Sequence, residues 1–216
     1  MNIKALSQHL ITKSTQQART IVAIAGPPGA GKSSLAQQLL LALTSANVPA
    51  SIVPMDGFHL DNSLLKQLSL SHRKGAPNTF DSHGFVHLIK RLSANEAHVV
   101  IPTFNRQQDI AIAGSQVVTQ DHKVLIVEGN YLLIKQQPWA KLAPLWDYSV
   151  FINPGITELT RRLTNRWLTH GLDAHAAKER ALSNDIPNAH YVLEHSAKAD
   201  VGIGDEAPTK NPQLIL

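Results

Sequence analysis

Residues 21–34 read IVAIAGPPGAGKSS. The apolar run Ile21-Val22-Ala23-Ile24-Ala25 has the character of a buried strand, and Leu35, Leu39, Ala42 and Leu43 then recur at helical spacing. The segment between them, Gly26-Pro27-Pro28-Gly29-Ala30-Gly31-Lys32-Ser33-Ser34, therefore links strand to helix and satisfies the P-loop pattern Gly-x-x-x-x-Gly-Lys-Ser. Its glycines leave room for successive backbone N–H groups to turn around phosphate oxygens, and the following helix adds its positive N-terminal end. Lys32 is placed to reach the outer phosphates and the Ser33 hydroxyl to ligate Mg²⁺. Residues 26–34 are thus the expected nucleotide-phosphate site.

Outward from this segment, strands and helices alternate. SIVPMD (51–56) is a short apolar strand ending in a carboxylate, followed by a helix over residues 62–70 and the turn-rich HRKGAPNTFD (72–81). Phe85, Leu88, Ile89 and Leu92 mark a helix for which Asp81 is the N-cap. HVVIPTF (98–104) reads as an edge strand, whereas KVLIVEGNY (123–131) and DYSVFIN (147–153) have the continuous apolar runs of strands covered on both faces. Ile156, Leu159, Leu163 and Trp167 mark another helix, a further helical stretch starts near Ala174, and ADVGI (199–203) closes as a last strand. The expected fold is α/β, the P-loop NTPase fold: a central, mostly parallel sheet with helices on both faces. Residues 1–216 form one expected domain, with an amphipathic N-terminal helix within 1–18 and a loose tail over 206–216.

Composition narrows the function. The 216 residues carry 20 Lys and Arg against 16 Asp and Glu, but the basic residues are scattered and aromatic content is only 5%, which argues against a nucleic-acid-binding module. Among the 11 histidines, His83 and His87 have a metal-ligand spacing, yet no cysteine or adjacent glutamate completes a site, so they read as a surface pair on one helix face. The lack of cysteine fits a reducing cytoplasm, and no apolar run approaches the length of a membrane span. The expectation is a cytoplasmic protein with no membrane or nucleic-acid partner.

Phosphoryl transfer needs a group beside the attacking hydroxyl and a group that helps hold the metal. Ligands in α/β sheets gather at the carboxyl ends of the strands, where Asp56 ends SIVPMD and Glu128 ends VLIVEG. Arg162, Arg166 and His170 share one helix face, where like charges repel unless an anion compensates them. A nucleoside triphosphate supplies that anion; the alternative is a surface pair of Arg162 with Glu158. Arg166, beside Trp167 at the helix end, is the favoured phosphate ligand.

The P-loop, MDGFH (55–59), RKGAPNTFD (73–81), IPTF (101–104), VLIVEGNYLL (124–133) and the arginine-bearing helix, in this order, resemble the uridine kinase, phosphoribulokinase and bacterial pantothenate kinase superfamily of P-loop kinases. The resemblance spans nearly the whole chain. It implies ATP and Mg²⁺ as cofactors, transfer of the γ-phosphoryl group to a hydroxyl of a small molecule, and a homodimer as a form the family often takes. It further implies that Asp56 is the catalytic carboxylate, Glu128 the metal-organising acid, and Arg166, in Asn165-Arg166-Trp167-Leu168, the arginine placed on the phosphates.

The acceptor is where this sequence departs from its models. Lys74-Gly75-Ala76-Pro77 stands where uridine kinases carry Phe-Asp-His-Pro, whose aspartate holds ribose hydroxyls, and Phe104-Asn105-Arg106-Gln107-Gln108-Asp109 replaces the aromatic pocket segment of pantothenate kinases. Arg106 and Asp109 suit a polyhydroxylated or anionic acceptor, unless they pair with one another at the surface. His59, Lys74 and Phe104 complete the expected acceptor pocket around Asp56, and Asn188 is a turn residue or a ligand contact. The function expected is an ATP-dependent kinase of a sugar-, nucleoside- or pantothenate-like acceptor; the alternative is a P-loop NTPase switch without an acceptor.

Overall fold

The computed structural model describes residues 3–204 and 207–210. Its strands are Thr20–Ala25 (β1), Ala50–Pro54 (β2), His98–Asn105 (β3), Ile110–Thr119 (β4), Val124–Gly129 (β5), Tyr148–Ile152 (β6) and Val201–Ile203 (β7). Five of them form a wholly parallel sheet in the order β2-β5-β1-β6-β7. Every residue of β1 and β5, the two apolar runs at the centre, is buried. Both faces are covered because successive side chains of a strand point to opposite sides.

On one face Val22, Ile24, Ile126 and Val150 pack with the helices Ile3–Ser14 (α1), Lys32–Ser45 (α2) and Ile156–Thr169 (α5). α1 has only 12 residues, too short to be stable alone, and is held by Leu6 and Leu10, whose burial contributes roughly 1.5–3 kcal/mol each. On the other face Ile21, Ala23, Leu125, Val127 and Phe151 pack with Phe85 and Ile89 of a further helix and with Tyr131 and Trp139. The helix on this second side is Ser82–Ser93 (α4), capped by Asp81, which accepts a hydrogen bond from the Gly84 N–H at 2.8 Å; the short helix Asn62–Gln67 (α3) precedes it in the chain. His83 and His87 are exposed on α4. The chain ends with Ala174–Arg180 (α6), a π-helical turn Ala181–Asp185, and Ile186–His195 (α7) before β7.

Three expectations change. HVVIPTF does not add an edge to the main sheet; β3 pairs antiparallel with β4, an unforeseen strand, as a separate two-stranded ribbon. The helix expected over 62–70 stops at Gln67, because Ser69 takes a left-handed conformation (φ 58°). The tail is not loose where it is described: Thr209 bridges to Ala199, Ala207 and Thr209 are buried, and the Lys210 ammonium meets the Asp200 carboxylate at 2.7 Å. The rest of that tail, and the first two residues of the expected N-terminal helix, lie outside the described residues.

Arg19 fastens the ribbon to the body. Its buried guanidinium donates to the carbonyls of Leu92, at the end of α4, His122 and Thr119. No helix among the described residues is long and apolar enough to cross a membrane.

Candidate active site

The P-loop leaves β1 at Gly26, where a Cβ would meet the backbone oxygen of Ile152 on the neighbouring β6. Gly31 adopts φ 102° immediately before α2, a conformation that favours glycine. No side chain caps α2, and no acidic residue occupies its first turn, so its leading N–H groups are free of side-chain acceptors. Lys32 is buried and its Nζ donates to the Pro27 carbonyl at 2.9 Å. Burial pulls the Lys32 pKa down from 10.5 to about 8, against the opposing pull of Glu128 and Asp56.

Strand register brings the carboxylates to this loop. Glu128 pairs with Ile24 of β1 on one side and Pro54 of β2 on the other, so Glu128, the start of the P-loop and the turn after β2 share one sheet edge. That turn is a 3₁₀ helix, Met55–Phe58, which carries Asp56. Gly129 permits the approach: a Cβ there would lie 2.5 Å from Met55 Cβ. Glu128 is buried, and burial together with the neighbouring Asp56 charge raises its pKa, while Lys32 and Ser33 act the other way.

The β3–β4 ribbon reaches over the same edge. From its tip Arg106 Nη2 contacts Asp56 Oδ2 at 2.7 Å, and Asp109 meets Lys74 Nζ at 2.8 Å. The alternative in which Arg106 pairs with Asp109 is therefore not what the structure contains. Asn62 donates to Asp109 Oδ2 at 3.1 Å and accepts from Lys74 at 2.7 Å, which fixes the ribbon tip to α3. The His59 ring lies between Phe80 and Phe104, with centroids 4.1 and 4.6 Å away, and its Nδ1 donates to the Asp56 carbonyl at 2.8 Å. Burial lowers the His59 pKa from its ordinary value.

On α5, Glu158 accepts from both Arg161 and Arg162 at 2.7 Å, so the surface pair exists. Arg162 also donates to the carbonyls of Gly29 and Ala30 at 3.3 and 3.1 Å, and thus contacts the P-loop as well. Arg166 differs: among the described residues it forms no ion pair, and burial and the nearby Arg106 charge lower its pKa. The carboxylates of Asp185 and Asp56 pull the other way.

These groups surround one cavity of about 760 Å³. The expected residues Pro28, Gly29, Gly31 to Ser34, Asp56, His59, Lys74, Phe104, Arg106, Asp109, Glu128, Arg162 and Arg166 all line it, whereas Gly26, Pro27 and Ala30 of the same loop are buried and do not. Asn188 and His170 also face it. The sequence reading missed Asn130, Arg180 and Asp185. Asp185 accepts from Trp167 Nε1 at 2.6 Å, and Arg180 covers the Trp167 ring at 5.2 Å. Helical periodicity gives no sign of the π-helical turn that brings Asp185 round. Among Lys, Arg, Asp and Glu, the lining has six cations, Lys32, Lys74, Arg106, Arg162, Arg166 and Arg180, against the four carboxylates Asp56, Asp109, Glu128 and Asp185. The Ser33 hydroxyl and Glu128 carboxylate are a hard-oxygen pair that fits Mg²⁺, which takes its other ligands from phosphate and water.

Comparison with known proteins places the chain among relatives of known family. The chain is 36% identical over 192 residues to the Escherichia coli protein YggC, of uncharacterised function, covering 86% of this chain and 77% of that one. It is 30% identical over 196 residues to a Schizosaccharomyces pombe protein provisionally named a uridine kinase, with coverage of 86% and 83%. A solved structure from Silicibacter sp. TM1040, provisionally named a fructose transport system kinase, is 43% identical and superposes with a TM-score of 0.88 over 94% of this chain and 98% of that one. The family model for phosphoribulokinase and uridine kinase matches residues 21–210. With a P-loop, two carboxylates at the strand ends and an unpaired arginine around one cavity, this chain belongs to the phosphoribulokinase/uridine kinase family of P-loop kinases.

Proposed function

We propose that the protein transfers the γ-phosphoryl group of ATP to a hydroxyl of a small molecule. The observation that carries this reading is the convergence of Lys32, Asp56, Glu128 and Arg166 on one cavity. The P-loop N–H groups and Lys32 hold the phosphates, and Arg166 lies against the transferring group. Ser33 and Glu128 would hold Mg²⁺, which would supply positive charge to offset the phosphates. Asp56 receives the proton of the acceptor hydroxyl as the acceptor oxygen bonds to the γ-phosphorus. The bond from that phosphorus to the β–γ bridging oxygen breaks, and ADP leaves. Because the transition state is loose, Asp56 contributes through its position more than its basicity.

Arg106, 2.7 Å from an Asp56 oxygen and 58% exposed, presents its guanidinium to the acceptor beside that carboxylate. His59, Lys74, Phe104 and Asp109 form the remaining acceptor wall. The test is ADP release from the purified protein with Mg-ATP across sugars, sugar alcohols, sugar phosphates, nucleosides and pantothenate. Acceptor-dependent release is expected; release indifferent to every acceptor would instead favour a nucleotide-driven switch.

A further inference from the structure

The π-helical turn before α7 and the first turn of α7 place two buried polar side chains in the cavity wall, Asp185 at 9% and Asn188 at 3% exposure. Each is half used. Trp167 Nε1 donates to Asp185 Oδ2, and among the described residues no hydrogen bond reaches Oδ1. Arg73 donates to Asn188 Oδ1 at 3.0 Å, and the amide Nδ2 has no hydrogen-bond partner among the described residues. Neither free atom is a sealed, unsatisfied one, so both are open to the cavity. A free acceptor beside a free donor is the complement of hydroxyl groups, which donate and accept. Gly75 borders this spot without a side chain; a Cβ there would lie 3.9 Å from Asn188 Nδ2.

Charge and aromatic packing narrow the ligand. The cavity's excess of two positive charges is matched by Mg-ATP, which carries about two net negative charges, leaving none to balance an anionic acceptor. The rings on the acceptor side are already engaged: His59 fills the space between Phe80 and Phe104, Lys74 lies 5.4 Å from the Phe104 centroid, and Arg180 lies over Trp167.

We infer that the acceptor is an uncharged polyol, a free sugar or sugar alcohol, and that Asp185 and Asn188 bind the hydroxyls beside the one that faces Asp56. This rests on the kinase reading above, and it supplies from the α6–α7 turn the hydroxyl-binding acid that residues 74–77 lack. The kinetics of wild-type, Asp185→Asn and Asn188→Ala proteins with sugars, sugar alcohols, sugar phosphates and nucleosides test it. Wild type is expected to use sugars or sugar alcohols in preference to the charged acceptors and nucleosides. Each variant raises the KM for that polyol by about tenfold or more, against a change below about threefold in the KM for ATP. Two variants are compared because Asp185 also anchors Trp167, whereas Asn188 does not. Unchanged polyol KM in both variants, an equal rise for ATP, or preference for a sugar phosphate or nucleoside overturns the inference and leaves the kinase reading standing. ADP release indifferent to all acceptors overturns both.

Discussion

Lys32 loses its proton near pH 8, because burial disfavours the ammonium, so nucleotide affinity should carry that titration. Phosphate binding favours the charged form and lifts its pKa, so binding ATP above pH 8 takes up a proton and affinity falls as pH rises. With a pKa of about 8 in the free protein, the protonated fraction falls from roughly nine-tenths at pH 7 to one-tenth at pH 9. Affinity should therefore drop about tenfold, or ~1.4 kcal/mol, across that interval, provided the pKa of the complex stays above 9. The terminal phosphate of ATP does not confuse the result, since it titrates near pH 6. Calorimetric titration at pH 7, 8 and 9, in buffers of differing ionisation enthalpy, reads both affinity and proton uptake. Uptake should approach one proton at pH 9 and vanish in Lys32→Met. Constant affinity from pH 7 to 9 with no uptake would refute the reasoning.

Arg106→Ala removes the group that holds Asp56 at 2.7 Å and faces the acceptor, so acceptor KM should rise about tenfold or more while ATP affinity holds; steady-state kinetics with calorimetry decides. Arg19→Ala leaves the Leu92, Thr119 and His122 carbonyls without their donor, and should cost about 3 kcal/mol in denaturant unfolding. Tyr131→Phe removes the donor to the half-buried Gly75 carbonyl next to the acceptor wall, with an expected loss of about 1 kcal/mol in the same assay.

The parts of the fold written in local pattern were legible beforehand. β1, β5 and β6 are apolar runs because both sheet faces are covered, and the P-loop declares itself through glycines whose backbone positions forbid other residues. Asp56 and Glu128 could be placed at one edge because strand ends in a parallel sheet align. β4 could not, since most of Ile110–Thr119 is exposed and its apolar residues do not alternate against a buried face. The pairing of Arg106 with Asp56, 50 residues away, depends on how the ribbon leans over the sheet, which Arg19 and Lys74 settle through tertiary contacts. Asp185 was hidden for a related reason: a π-helical turn in an otherwise helical stretch redirects it, and a helix-period reading has no place for the extra residue.

The central claim, phosphoryl transfer to a hydroxyl with Asp56 taking the proton, is tested most directly by phosphorus NMR of the products from Mg-ATP and an accepted polyol, comparing wild type with Asp56→Asn. The account predicts ADP and a new phosphomonoester in equal amounts from wild type. It predicts a loss of at least about a hundredfold in rate for Asp56→Asn, with ATP affinity within about threefold. Equal rates in the two proteins, or ADP accompanied only by inorganic phosphate, would contradict it.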